Sequence, residues 1–191
     1  MLKQPLRLDK AALLVIDMQD RILSGTERLI ETLDRAQLAL CGFQELSLPV
    51  IATEQNPDKL GPTNSTIRHY LEKPPLTKMA FSAYREEETR HAIDNSGRSQ
   101  WILMGVETHV CLMQTARDLI QAGHEVVVLN DATSSRSIFD YSTAIAEMRD
   151  MGARIASTEI VLFELMATAA DPHFKTICQW VKGCSSSNCC H

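Results

Sequence analysis

No stretch of this sequence is apolar for long enough to cross a bilayer. The longest apolar run near the amino terminus is Ala11–Ile16, far shorter than the roughly 20 residues that a membrane-spanning helix needs. The run follows Asp9 and Lys10 and ends at Asp17, which is not the pattern of a secretory signal. The sequence therefore predicts no membrane partner and a cytoplasmic location.

Clusters of basic residues are absent as well. Lysine and arginine together number 19 against 24 aspartates and glutamates, which gives a formal net charge of −5. Proteins that bind nucleic acids usually present a basic face, so we expect no nucleic-acid partner.

Motifs for metals and nucleotides are also missing. The six histidines show no HExxH or other paired spacing, and the segment Gly105–Cys111 has one glycine instead of a glycine-rich phosphate loop. We therefore expect no metal and no cofactor. Four of the six cysteines are crowded near the carboxyl terminus, unlike the spread of a secreted disulfide framework, which predicts reduced thiols.

What the sequence does contain is an alternation of strand and helix signals, in a chain of 191 residues that suits one domain. Apolar or β-branched runs predict strands at Ala11–Ile16, Val50–Thr53, Trp101–Met104, Glu125–Leu129 and Arg154–Ala156. Helical periodicity and capping signals lie between them. This alternation predicts an α/β fold with three α/β/α layers and a mostly parallel, Rossmann-like sheet of five or six strands. We expect the domain to span residues 1–183 and residues 184–191 to form a disordered tail.

Ligands of an open parallel sheet bind beyond the carboxyl ends of its strands. Asp17 follows the first predicted strand, Gln55 follows the second, and Gly105–Cys111 follows the third. Lys78 lies in a segment between helical regions that could reach the same edge. These positions define the candidate site.

Cys111 has the strongest signal among them. With Thr108 as the helix N-cap, Cys111 is the third residue of a helix, where the dipole and the unpaired N–H groups favour the thiolate. The same N–H groups could hold an oxyanion. The alternative is a buried structural cysteine, since free cysteine is among the most buried residue types.

Asp17 and Lys78 have plausible roles beside such a thiol. A carboxylate at the end of an apolar strand is costly unless it is paired, and Asp17 could carry a proton from the thiol to a leaving group. Lys78 would keep that acid ionised and add positive charge. The alternatives are a turn or cap residue for Asp17 and a solvated surface lysine for Lys78.

Three segments carry a family resemblance: Leu14–Gln19 (LVIDMQ), Lys78–Ser82 (KMAFS) and Gly105–Cys111 (GVETHVC). In their order and spacing they resemble the isochorismatase-like cysteine hydrolases, which include nicotinamidases and carbamoylsarcosine amidohydrolase, over residues 8–182. The resemblance implies that Cys111 is the nucleophile, Asp17 the general base and acid, and Lys78 their electrostatic partner. It also implies a cis peptide at Val106–Glu107, which would turn backbone N–H groups toward the oxyanion.

The expected activity is hydrolysis of an amide-type C–N bond in a small molecule through a Cys111 thioester, in a homo-oligomer. The expected substrate contacts are Gln19, Gln55, Phe81 and Thr108. Nicotinamidases also carry an Asp-x-His metal motif and a second histidine, whereas Thr53–Gly61 has no histidine, so metal-dependent nicotinamidase activity is not expected. The chain is more similar to the isochorismatase-domain branch. Hydrolysis of a vinyl ether and a non-catalytic oligomeric scaffold remain as alternatives.

Overall fold

The computed structural model describes residues 4–183, so the carboxyl-terminal tail predicted at residues 184–191 lies outside the described residues. Parallel strands form one sheet, with β1 at Ala11–Ile16, β2 at Val50–Gln55, β3 at Leu76–Lys78, β4 at Gln100–Val106, β5 at Glu125–Ser134 and β6 at Arg154–Ala156. Their order across the sheet is β3-β2-β1-β4-β5-β6.

Helices connect these strands. They are α1 (Asp20–Leu23), α2 (Leu29–Glu45), α3 (Pro57–Leu60), α4 (Ser65–Arg68), α5 (Glu87–Asp94), α6 (Met113–Gln121), α7 (Ile138–Asp150), α8 (Thr158–Met166) and α9 (Phe174–Gly183). A 3-10 helix covers Ala83–Arg85, and a π-helical turn covers Thr108–Leu112.

The helices form a layer on each face of the sheet. Leu13 and Val15 of β1 belong to one core, shared with residues of α2, α8 and α9. Leu14 and Ile16 belong to the opposite core, shared with residues of α5, α6 and α7. All of β1 is buried, which explains why its sequence is continuously apolar. The predicted three-layer α/β/α class is confirmed.

Two strands differ from the sequence-based prediction. The segment Leu76–Lys78 is a strand, although it has no apolar run, because it pairs with Thr53–Gln55 of β2. Strand β5 continues past Leu129 to Ser134 through an Asn-Asp pair that is typical of turns. It can do so because its register against β4 shifts before pairing resumes at Thr133.

The described part of the chain contains Cys41, Cys111 and Cys178. Cys111 and Cys178 are free thiols, as expected, and Cys41 has a further interaction. Within residues 4–183, no helix is long and apolar enough to cross a membrane.

Candidate functional site

Strands β1 and β4 are neighbours at the centre of the sheet, and the chain leaves them toward opposite sides, to β2 and β5. The carboxyl ends of such a pair form the crevice in which open parallel sheets bind ligands. Asp17 follows β1 at this point, and the turn that carries Cys111 follows β4. Lys78 ends β3 at the same edge of the sheet.

The carboxylate of Asp17 is fixed by the neighbouring strand. Thr53 of β2 donates its hydroxyl to Asp17 Oδ1 at 2.9 Å, and the Asp17 N–H donates to the Thr53 carbonyl at 3.2 Å. The backbone of Asp17 is left-handed, with φ of 53°, a conformation that aspartate tolerates better than most residues. The side chain has no exposure to solvent.

Four acceptors surround the ammonium of Lys78. Its Nζ lies 2.7 Å from Asp17 Oδ2 and 2.6 Å from Gln55 Oε1. It also donates to the carbonyls of Phe81 and Ala80, at 3.0 and 3.2 Å. The side chain is fully buried. Because a buried charge persists only when it is paired and hydrogen-bonded, these contacts hold a positive charge at a defined point.

Burial raises the pKa of Asp17 above its ordinary value. The charge of Lys78, together with hydrogen bonds from Lys78, Cys111 and Thr53, opposes the rise. A carboxylate with a raised pKa is a stronger proton acceptor than an ordinary aspartate. Asp17 therefore has the electrostatic setting of a general base.

The charges of Asp17 and Lys78 both act on the Cys111 thiol, in opposite directions. Burial, followed by the negative charge of Asp17, raises the pKa of Cys111 to about 12, and Lys78 offsets only part of the rise. The expectation of a resting thiolate is therefore wrong, because desolvation and the neighbouring carboxylate outweigh the positive charge. At neutral pH the residue is therefore a neutral thiol.

The turn before Cys111 begins one residue earlier than predicted. Glu107 is the N-cap, and Thr108 is the first residue of the turn. The Glu107 carbonyl accepts the N–H groups of Val110 and Leu112, at 3.2 and 3.3 Å. Cys111 thus lies in the first turn of the helical segment that continues into α6.

The side chain of Glu107 is directed to other partners. Its Oε2 lies 3.3 Å from His109 Nε2, and its Oε1 lies 3.4 Å from Arg136 Nε. His109 Nδ1 in turn lies 3.0 Å from the hydroxyl of Ser135. The Glu107 group expected to bind the oxyanion is therefore its backbone N–H and not its carboxylate.

Among the described residues, no three His, Cys, Asp or Glu side chains come together as a metal site.

Two of the expected substrate contacts have internal partners. The buried amide of Gln19 donates to the carbonyls of Gln55 and Gly61, at 3.0 and 2.6 Å. The buried hydroxyl of Thr108 lies 2.9 Å from that of Thr133. These contacts support structural roles for Gln19 and Thr108.

The other two expected contacts differ from each other. The Gln55 side chain joins Lys78 Nζ to the carbonyl of Met79, to which it donates at 2.9 Å. Phe81 has 54% of its surface exposed, and its carbonyl accepts from Lys78. Phe81 therefore remains available for a ligand, whereas Gln55 is engaged with the charged pair.

The family model of the isochorismatase domain matches residues 11–160. The chain belongs to the isochorismatase family. The family resemblance stated from three sequence segments is thereby confirmed.

Curated relatives cover most of this isochorismatase-family chain. The secreted isochorismatase effector Isc1 of Phytophthora sojae (strain P6497) is 34% identical over 177 aligned residues, and the match covers 90% of this chain and 84% of that protein. Isochorismatase domain-containing protein 1 of Danio rerio is 36% identical over 166 residues, which are 87% of this chain but 59% of the longer fish protein.

A solved structure agrees with this assignment. The MAR1 ribonuclease of Caenorhabditis elegans matches with a TM-score of 0.89 at 30% identity, over 98% of this chain and 96% of that one. The chain therefore has the isochorismatase-family hydrolase fold.

Two further residues shape this isochorismatase-family site and were not identified from the sequence. Gly105 has φ of 135°, and a Cβ on it would lie 2.0 Å from the carbonyl oxygen of Ile16, next to Asp17. One residue further along the chain, the Val106–Glu107 peptide bond is cis, as the family resemblance implies. A lone glycine inside a strand pattern indicates a close backbone approach. The sequence therefore contained a signal that could have identified the role of Gly105.

Thr115 of α6 had no such signal. Its hydroxyl accepts the N–H of Ala83 at 2.9 Å and donates to the carbonyl of Cys111 at 2.7 Å. It thus connects the turn that carries the thiol to the 3-10 helix that follows the Lys78 segment. Nothing in the local sequence distinguishes this threonine from an ordinary helix residue.

Proposed function

We propose that the chain hydrolyses an amide-type C–N bond of a small molecule, with Cys111 as nucleophile and Asp17 as proton carrier. The observation that carries this proposal is the buried Asp17–Lys78 ion pair, 2.7 Å long, with which the Cys111 thiol interacts. A nucleophile, a carboxylate that acts on it and a fixed positive charge are components that acyl transfer uses.

The first step starts from a neutral thiol, since the pKa of Cys111 is about 12. Cys111 Sγ forms a bond to the carbonyl carbon while its proton passes to Asp17, so a free thiolate is not required. The carbonyl oxygen takes up the electron pair, and we assign the backbone N–H groups of Glu107 and Cys111 to this oxyanion. Lys78 keeps its protons and offsets the negative charge.

The later steps return the enzyme to its starting state. When the oxyanion collapses, the C–N bond breaks, the leaving nitrogen takes the proton from Asp17, and a thioester remains on Cys111. Water then attacks the thioester and transfers a proton to Asp17. The second collapse releases a carboxylic acid, and Cys111 regains its proton from Asp17. Each bond cleaved consumes one water molecule.

Other activities have less support. The nematode neighbour is named a ribonuclease, but this chain has a net charge of −5, whereas nucleic-acid binding normally relies on a basic face. Vinyl-ether hydrolysis needs no cysteine nucleophile, and a scaffold needs no charged pair beside a thiol. The electrostatic effect of Asp17 and Lys78 on the Cys111 thiol favours the amide reaction over both.

The test is a substrate panel of small amides, a vinyl ether and an RNA oligonucleotide, assayed with the wild type, Cys111→Ala and Cys178→Ala. Cys178 is the matched control because it is a second free cysteine, located on α9. We expect the wild type and Cys178→Ala to hydrolyse an amide, Cys111→Ala to be inactive, and mass spectrometry to detect an acyl adduct on Cys111.

Two results reject the proposal. One is amide hydrolysis by Cys111→Ala at the wild-type rate. The other is turnover of the vinyl ether or the RNA with no turnover of any amide. The cytoplasmic location and the homo-oligomer stay predictions, which cell fractionation and analytical ultracentrifugation can test.

A further inference from the structure

Gln55, the last residue of β2, connects to the β3 segment through both ends of its amide. Its Oε1 accepts from Lys78 Nζ at 2.6 Å, and its Nε2 donates to the carbonyl of Met79 at 2.9 Å. An ammonium can only donate and a carbonyl can only accept. The two partners therefore fix the orientation of the amide, with its oxygen toward the charge.

Gln19 holds the backbone of Gln55 in place. Gln19 Oε1 accepts the Gln55 N–H at 2.8 Å, and Gln19 Nε2 donates to the Gln55 carbonyl at 3.0 Å. The Gln19 side chain has no solvent exposure, and it lies two residues after Asp17. The same segment that supplies the carboxylate thus also sets the position of Gln55.

Gln55 and Asp17 bind the same nitrogen. Oxygens of these two side chains lie 2.6 and 2.7 Å from Lys78 Nζ, and two backbone carbonyls occupy the rest of its surroundings. An ammonium has three N–H groups for these four acceptors. The orientation of the Lys78 ammonium toward Asp17 and Cys111 therefore depends on Gln55.

We propose that Gln55 is a positioning residue, which holds Lys78 against Asp17 and does so without bringing a second negative charge to the thiol. A glutamate of the same shape would accept the same hydrogen bond, but its charge would compete with Asp17 and Cys111 for Lys78. This inference rests on the proposed function, in which Asp17, Lys78 and Cys111 act as one unit. It replaces the substrate contact expected of Gln55.

Alkylation of Cys111 by iodoacetamide tests the role of Gln55 without any substrate. Rates are measured at about pH 8, where alkylation follows the thiolate fraction, by peptide mass spectrometry with Cys178 as the internal reference. The variants are Gln55→Glu and Gln55→Asp, and the matched control is Gln44→Glu. Gln44 lies on α2, where its exposed amide donates to the carbonyl of Tyr70 at 2.9 Å, so this variant adds the same charge at a different surface.

We expect Gln55→Glu to slow the alkylation of Cys111 about tenfold, which corresponds to one unit in the pKa of the thiol. Gln55→Asp, with a shorter stem, should slow it less, and Gln44→Glu should leave it unchanged. Equal rates for the wild type and Gln55→Glu overturn the proposal, and so does equal slowing by Gln44→Glu. Thermal unfolding shows which variants fold; if Gln55→Glu does not, a wild-type rate in Gln55→Asp is the overturning result.

The outcome separates this inference from the proposed function. Amide hydrolysis by Cys111→Ala would reject the reaction and leave the alkylation result intact. Equal alkylation rates would reject the positioning role of Gln55 and leave the reaction open to its own test.

Discussion

Nζ of Lys78 lies 2.7 Å from Oδ2 of Asp17, and neither side chain is exposed to solvent. Each buried charge is tolerated because of the other, since removal of one partner leaves an uncompensated charge in the interior. The contact ties β3, at the edge of the sheet, to the end of β1 at its centre. The stability of the fold and the integrity of the candidate site therefore depend on the same ion pair.

Lys78→Met should lower the free energy of unfolding by about 3–5 kcal/mol, because it leaves the Asp17 carboxylate buried without its counter-charge. Urea unfolding measures the loss. Lys73→Met, at an exposed position, is the control and should change stability by less than about 0.5 kcal/mol. The double variant Asp17→Asn/Lys78→Met should recover part of the loss. Similar losses for Lys78→Met and Lys73→Met would contradict the account.

Gly105→Ala should be severely destabilising. The new Cβ would lie 2.0 Å from the Ile16 carbonyl oxygen, a backbone atom, at a φ of 135°. Backbone strain alone costs about 1–3 kcal/mol, and the clash adds to it. Gly123→Ala is the control, since Gly123 also has a positive φ of 90° but nothing within 4 Å of a Cβ. Equal losses of unfolding free energy in the two variants would show that the fold does not need the close approach of Gly105 to the Ile16 carbonyl.

Stability at alkaline pH should depend on Cys111. Its pKa is raised from the ordinary value of 9.0 to about 12, so the folded protein keeps a proton that the unfolded chain releases. The resulting stabilisation is complete below pH 9.0 and is lost as the pH rises toward about 12. Between about pH 8 and about pH 10.5, the urea midpoint of the wild type should therefore fall more than that of Cys111→Ala. Parallel falls would argue that the folded thiol has an ordinary pKa.

The strands that the sequence predicted were those with a strong local signal. The continuously apolar β1 was predicted at its observed bounds, Ala11–Ile16, because a strand buried on both faces needs apolar residues throughout. Strand β3 at Leu76–Lys78 was not predicted, since its geometry comes from pairing with β2. Lys78 could thus be named as a candidate, while its position at the sheet edge needed the tertiary structure.

In the candidate site, too, local sequence signals identified some features, whereas others depend on tertiary contacts. The strand ends identified Asp17 and Cys111, but the ionisation state of Cys111 depends on burial and on the charge of Asp17, neither of which a helix-start signal contains. Gln19 and Gln55 were predicted as substrate contacts. Their roles come from partners distant in the chain, such as Gly61 and Lys78, which spacing alone does not reveal.

The central claim is that the charge of Asp17 keeps Cys111 as a neutral thiol at rest, and the alkylation rate of Cys111 in Asp17→Asn tests it most directly. The charge of Asp17 raises the pKa of the thiol, and Lys78 lowers it. With a neutral asparagine in place, iodoacetamide should modify Cys111 about tenfold faster than in the wild type at about pH 8. A rate equal to or below that of the wild type would contradict the claim, because it would mean that Asp17 does not hold the thiol in its protonated form.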